Sequence, residues 1–180
     1  MLLVVDNGSV YTNSLLDFLV EKRILHNTLT YDKIILSNLQ QYSQIILSGR
    51  RKNNSLMNSI NSKIIKHTVL EKKPLLGICY GAEILALTLG GTLKKMNQIH
   101  KGNQEIEILK TNPLCHGKIN VFESHSYLIS KLDNNFIQIA KSDVCNFEII
   151  QYDNLNIFGT QFHPEMSNDG KLLLEKFISI

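Results

Sequence analysis

The chain of 180 residues is poor in cysteine, poor in proline and close to charge balance. Three cysteines cannot build a disulfide framework, and the odd number leaves at least one thiol unpaired within the chain. Free thiols in a chain of this size suggest a reducing compartment, so a cytoplasmic location is expected. Lys and Arg number 19 against 16 Asp and Glu, a net charge of +3. The longest basic run is Arg50-Arg51-Lys52, too little to call for a nucleic-acid partner. No stretch approaches the roughly 18 apolar residues of a membrane span. Met1-Leu2-Leu3-Val4-Val5-Asp6 lacks the basic start of an export signal, so neither membrane nor secretion is expected. Also missing are a Gly-x-x-x-x-Gly-Lys phosphate loop and a Gly-x-Gly-x-x-Gly fingerprint. With no internal repeat and no Pro/Gly-rich linker, residues 1–180 read as one domain.

What is present is enough apolar residue, 43%, with only 19% charged, to build a packed core. Leu2-Leu3-Val4-Val5, Ile45-Ile46-Leu47 and Leu75-Leu76-Gly77-Ile78 are short, wholly apolar runs closed by turn residues, the mark of parallel strands covered on both faces. Thr28-Leu29-Thr30-Tyr31 is a further short strand. Between these runs lie helical spacings: Leu15, Leu16, Phe18 and Leu19; then Leu56, Ile60, Ile64, Ile65 and Val69; then residues 84–89, ended by Gly90-Gly91. This alternation predicts an α/β fold with a doubly wound, mostly parallel sheet. Beyond residue 92 the helices stop. Short strands are expected at 106–109, 119–122, 137–140, 148–152 and 157–162, an antiparallel or mixed extension, with a closing helix over 171–180.

Gly77-Ile78-Cys79-Tyr80-Gly81 stands where a buried strand gives way to a helix, the setting of a nucleophile elbow. The flanking glycines would let strand and helix approach without a Cβ clash. Cys79 would then sit over a helix N-terminus, whose amides and dipole favour thiolate, so a lowered pKa is expected. Taken alone, the motif is equally a buried structural cysteine. Gln161-Phe162-His163-Pro164-Glu165 adds a candidate general base, with Glu165 two residues away to orient the ring. Cys115-His116 and Cys145 lack the paired spacing of a metal site, so no metal is expected. His26, His67 and His100 read as surface or internally satisfied histidines.

Together with Val5-Asp6-Asn7-Gly8-Ser9, Leu47-Ser48-Gly49 and Glu123-Ser124-His125-Ser126, these motifs make the chain resemble the class I, triad-type glutamine amidotransferases over essentially its whole length. The resemblance implies a flavodoxin-like sheet, with Cys79 as nucleophile, His163 as acid and base and Glu165 as the orienting carboxylate. It implies glutamine as substrate, held through its α-groups by the backbone at Ser126 and Tyr127. The Tyr80 amide and the turn at Gly49 and Arg50 would stabilise the oxyanion. Two positions depart from the family pattern. Arg50 replaces a second glycine, where a positive φ would be costly. Glu83 replaces a substrate-contacting glutamine, one turn past Cys79, where a carboxylate would raise the thiol pKa.

Without a phosphate-binding motif, the chain has no means of activating an ammonia acceptor. The resemblance therefore implies a partner, a separate synthetase chain of the ATP-pyrophosphatase type, which would hold the ATP and Mg while this chain holds no cofactor. Asp6-Asn7-Gly8-Ser9-Val10-Tyr11-Thr12 and Gly159-Thr160-Gln161-Phe162 are most similar to the branch of stand-alone glutaminases serving archaeal-type GMP synthases. Three alternatives stay open. They are the glutaminase of anthranilate or aminodeoxychorismate synthase, a catalytically impaired binding protein, and a related cysteine hydrolase, against which Tyr80 argues where that family has His.

Overall fold

A computed structural model describes residues 1–180. The first half alternates as the apolar runs require: β1 (Leu2–Asn7), α1 (Thr12–Glu21), β2 (His26–Thr30), β3 (Gln44–Arg50), α2 (Ser55–Glu71), β4 (Leu75–Ile78) and α3 (Tyr80–Thr88). The second half runs β5 (Thr92–Ile108), β6 (Lys118–Lys131), β7 (Phe136–Lys141), β8 (Ile149–Tyr152), β9 (Ile157–Thr160) and α4 (Asn168–Ile178). All nine strands form one sheet in the order β2-β1-β3-β4-β9-β8-β7-β5-β6. The five strands from β2 to β9 are parallel and the rest antiparallel. The architecture is thus the doubly wound parallel sheet with an antiparallel extension. No helix is long and apolar enough to cross a membrane.

Alternation within β1 divides the core. Leu2 and Val4 pack with Leu15, Phe18, Leu173 and Phe177 under α1 and α4, whereas Leu3 and Val5 pack with Ile64, Ile65 and Leu85 under α2 and α3. Burial of both faces is what fully apolar strands require.

The helical face of α2 is rotated from the expected one. Leu56 stays exposed, and Met57, Asn61, Ile64, Ile65 and Thr68 are buried. The two polar members find partners inside: Asn61 Nδ2 donates to Asn7 Oδ1 at 2.7 Å, and the Thr68 hydroxyl donates to the Ile65 carbonyl at 2.8 Å. Asn7 also donates to the Ser48 carbonyl at 3.1 Å and, through its backbone, to Ser48 Oγ at 2.9 Å. This buried knot ties the ends of β1 and β3 to α2. The chain leaves β1 toward β2 on one side and returns as β3 on the other, so the knot marks the switch point where doubly wound sheets open a crevice.

Strands β5 and β6 are much longer than the short strands expected. They pair from Thr92↔Lys131 to Glu107↔Lys118, with an irregularity between Lys95 and His100. Much of this ribbon is exposed on both faces, so it carries little of the apolar alternation by which a strand is read.

Candidate active site

The carboxyl ends of β1, β3, β4 and β9 meet at one edge of the sheet. Between β4 and α3 the backbone turns through Cys79, whose φ is +51°. That conformation is uncommon for a side-chain-bearing residue and is held from both sides. The Cys79 N–H donates to the Thr160 carbonyl of β9 at 2.7 Å, and the Glu83 N–H donates back to the Cys79 carbonyl at 3.0 Å. A Cβ on Gly77 would overlap the Gly81 backbone, and one on Gly81 would overlap the Leu47 carbonyl of β3. The elbow anticipated from the motif is therefore present, with both glycines required by close approach.

His163 follows β9 and is pinned by its N–H to the Phe122 carbonyl of β6 at 2.9 Å. The Cys79 sulfur lies 3.9 Å from the Ser124 carbonyl, two residues along the same strand. Thiol and imidazole are thus both set against one short stretch of β6. Behind the ring, His163 Nδ1 lies 2.8 Å from Glu165 Oε1, with both side chains buried. This bond puts the proton on Nδ1 and leaves Nε2 as the free basic nitrogen. Tyr11 packs on the same ring, with centroids 4.5 Å apart, and its hydroxyl donates to Ser124 Oγ at 3.2 Å.

Cys79 departs from the electrostatic expectation. Burial, reinforced by the charges of Glu83, Glu165 and Glu123, holds the thiol well above its ordinary range, while only the Tyr80 N–H pulls it down. The helix terminus is outweighed because three carboxylates surround the sulfur. The resting state is a neutral thiol, so ionisation has to be coupled to proton acceptance by a base.

Cys79, Tyr80, Glu83, Arg50, Ser126 and Tyr127 all line one pocket of about 710 Å³, with Ser124 and His125. That is ample for a polar amino acid. Tyr80 opens α3, so its N–H has no acceptor within the helix and is free to serve a ligand. Gly49 abuts the imidazole: a Cβ there would stand 2.9 Å from His163 Cε1. Arg50 does not adopt a positive φ, so its replacement of glycine carries no backbone strain. The Glu83 carboxyl is raised above its usual range by burial, against the opposing charge of Arg50. Arg50 Nη2 is 3.9 Å from Glu83 Oε2.

Sequence reading missed several residues of the site. Asn58, on α2, accepts from the Tyr80 hydroxyl at 2.8 Å and from Arg50 Nη1 at 3.3 Å. Nothing local distinguishes that asparagine. A second omission is an acidic cluster beneath the pocket. Glu123 Oε2 and His125 Nε2 stand 3.0 Å apart, close enough to pair but off hydrogen-bond alignment, while His125 Nδ1 donates to the Tyr127 carbonyl at 2.7 Å. Burial pushes Glu123 up to about 7. Burial, then the charge of Glu123, pushes Glu148 well above its usual range. His100, expected at the surface, packs against His125 with ring centroids 5.7 Å apart.

A sequence model of the family Glutamine amidotransferase class-I matches residues 3–179. The chain is 34% identical to the glutamine-hydrolyzing subunit of GMP synthase from Pyrococcus furiosus, over 100% of this chain and 98% of that protein. It is 33% identical to the protein of the same name from Thermococcus kodakarensis, over 93% and 90%. Among solved structures, a candidate GMP synthase subunit from Thermoplasma acidophilum superposes with a TM-score of 0.87 at 27% identity, covering 99% of this chain and 92% of that one.

Proposed function

The chain belongs to the class I glutamine amidotransferases, and from that premise we propose that it is the glutamine-hydrolysing component of a two-chain GMP synthase. Its product, ammonia, passes to a separate ATP-dependent synthetase that aminates XMP. The observation that carries this reading is the strained Cys79 elbow set against the same stretch of β6 as the His163–Glu165 pair. Full-length likeness to proteins named as one subunit of GMP synthase supports the two-chain arrangement.

In the reaction, the Cys79 sulfur attacks the side-chain amide carbon of glutamine as its proton passes to His163 Nε2. Glu165 stabilises the resulting imidazolium through Nδ1. The oxyanion is met by the Tyr80 N–H and by the turn at Gly49 and Arg50. A single such donor is worth about 3–4 kcal/mol of transition-state stabilisation. His163 returns the proton to the departing nitrogen, releasing ammonia and leaving a thioester. Water, deprotonated by the same imidazole, attacks the thioester and frees glutamate. Ser126 and Tyr127 hold the amino-acid end of the substrate along the pocket wall.

The test is glutamate release from glutamine, measured alone and with the synthetase chain, XMP, ATP and Mg²⁺. Glutamate formed in step with GMP is the expected result. No release under either condition would overturn the reading in favour of an impaired binding protein.

A further inference from the structure

The two positions that depart from the family pattern, Arg50 and Glu83, lie against each other although they belong to different elements. The Arg50 guanidinium faces Glu83 Oε2 at 3.9 Å and stacks over the Tyr80 ring with its carbon 4.3 Å from the centroid. Its Nη1 donates to Asn53 Oδ1 at 2.5 Å and to Asn58 Oδ1 at 3.3 Å. Asn58 Oδ1 is also the acceptor for the Tyr80 hydroxyl at 2.8 Å. One planar cation therefore joins the end of β3, the first turn of α3 and the start of α2. This is a use for which a lysine ammonium, lacking the fork and the stacking face, is poorly suited.

This pair is not an ordinary surface contact. The Arg50 side chain is 19% exposed and that of Glu83 6%. A carboxylate so deeply placed needs a counter-charge, and removing one partner strands the other. The residues it joins are also the ones assigned to the oxyanion. Tyr80 carries one backbone donor, and the turn at Gly49 and Arg50 carries the other. Side chains of Tyr80 and Arg50 stack on each other, so the stack sets the spacing between the two backbone segments.

We propose that Arg50 and Glu83 are positioning residues acting as one unit, a clamp that fixes the turn after β3 against the start of α3 and so sets the two oxyanion donors relative to each other. The proposal rests on the glutaminase reading above. The clamp explains why a carboxylate is tolerated at position 83: Glu83 holds the guanidinium over the Tyr80 ring. Each departure then makes sense only in the presence of the other.

The experiment compares wild type, Arg50→Gln, Glu83→Gln and the double variant, each with the synthetase chain present. Steady-state kinetics are paired with inhibition by glutamate γ-semialdehyde, an aldehyde whose thiohemiacetal with Cys79 presents a tetrahedral oxygen. Each single variant should lose about tenfold or more in kcat with a smaller change in KM, and should lose aldehyde affinity in step. The double variant should be no worse than the poorer single one. Single effects that multiply in the double variant, or a raised KM with kcat and aldehyde affinity intact, would overturn the clamp. Should the single variants fail to fold, Arg50→Lys keeps the charge but not the stack. Reduced kcat and aldehyde affinity in that variant support the clamp, and wild-type values exclude it. A wild-type chain that neither releases glutamate nor binds the aldehyde removes the glutaminase reading and the clamp with it, an outcome distinct from an active enzyme with independent residues.

Discussion

Gly77 and Gly81 approach so closely that a side chain on the first would overlap the backbone of the second, so β4 and α3 are in backbone contact on either side of Cys79. The elbow's positive φ persists because this contact leaves the chain no other route.

Substituting Gly81 by Ala should therefore cost more than an ordinary buried methyl group. The added Cβ meets the Leu47 carbonyl, a backbone atom that cannot rotate away. A loss of about 1–3 kcal/mol in urea unfolding is expected, together with loss of glutaminase activity. Wild-type stability in Gly81→Ala would contradict the packing described.

Glu165→Gln keeps the volume behind His163 and removes the charge. The imidazolium then loses its partner, and the amide can turn its NH₂ toward Nδ1 and impose the other tautomer. A fall in kcat of about 10²–10⁴ with a nearly unchanged melting temperature is expected. A variant with kcat close to wild type would remove Glu165 from the reaction.

Alkylation of Cys79 by iodoacetamide, followed against pH in the free protein, should report a thiol that ionises above its ordinary range, because burial and three carboxylates oppose the thiolate. Glu83 has the largest effect of the three charges. Glu83→Gln should shift the alkylation profile to lower pH, since removing a negative neighbour favours the anion. An unmoved profile would show that Glu83 does not act on the sulfur.

The acidic cluster predicts a pH-dependent stability of definite sign. The folded-state pKa values of Glu123 and Glu148 lie above the ordinary 4.5, so the native chain holds protons that the unfolded chain releases. Their contribution is fully present below pH 4.5 and, for Glu123, is lost as pH rises through about 7. His125 opposes this: its value is lowered from 6.5 by burial, so its contribution is present above pH 6.5 and lost on acidification. Replacing Glu148 by Gln fixes the protonated shape at that site. Urea unfolding between pH 5 and 8 should then show a smaller loss of stability at the alkaline end than in wild type. A steeper loss would disprove the assignment of the proton to the folded state.

Wherever a signal is local, it could be read in advance. The apolar runs at β1, β3 and β4 and the glycines bracketing Cys79 determine their own structure, because burial on both faces and a Cβ-free turn are demands on neighbouring residues. The long ribbon of β5 and β6 could not be read this way. Its backbone is satisfied by the partner strand, and with both faces largely exposed no apolar alternation is needed. The same holds for the face of α2, where Asn61 is buried only because Asn7 is there to receive it.

The linear chain by itself settled the chemistry on offer: a cysteine at a glycine-flanked turn, a histidine with a carboxylate two residues on, and no phosphate loop. Only the folded molecule decided how those groups are tuned. It placed Glu83, Glu123 and Glu165 around one thiol, and it brought Arg50 across from the end of β3 to meet Glu83 on α3. Charge acts through space and burial rather than along the chain. The pairing of neighbouring parallel strands therefore turned two separate oddities of sequence into one contact.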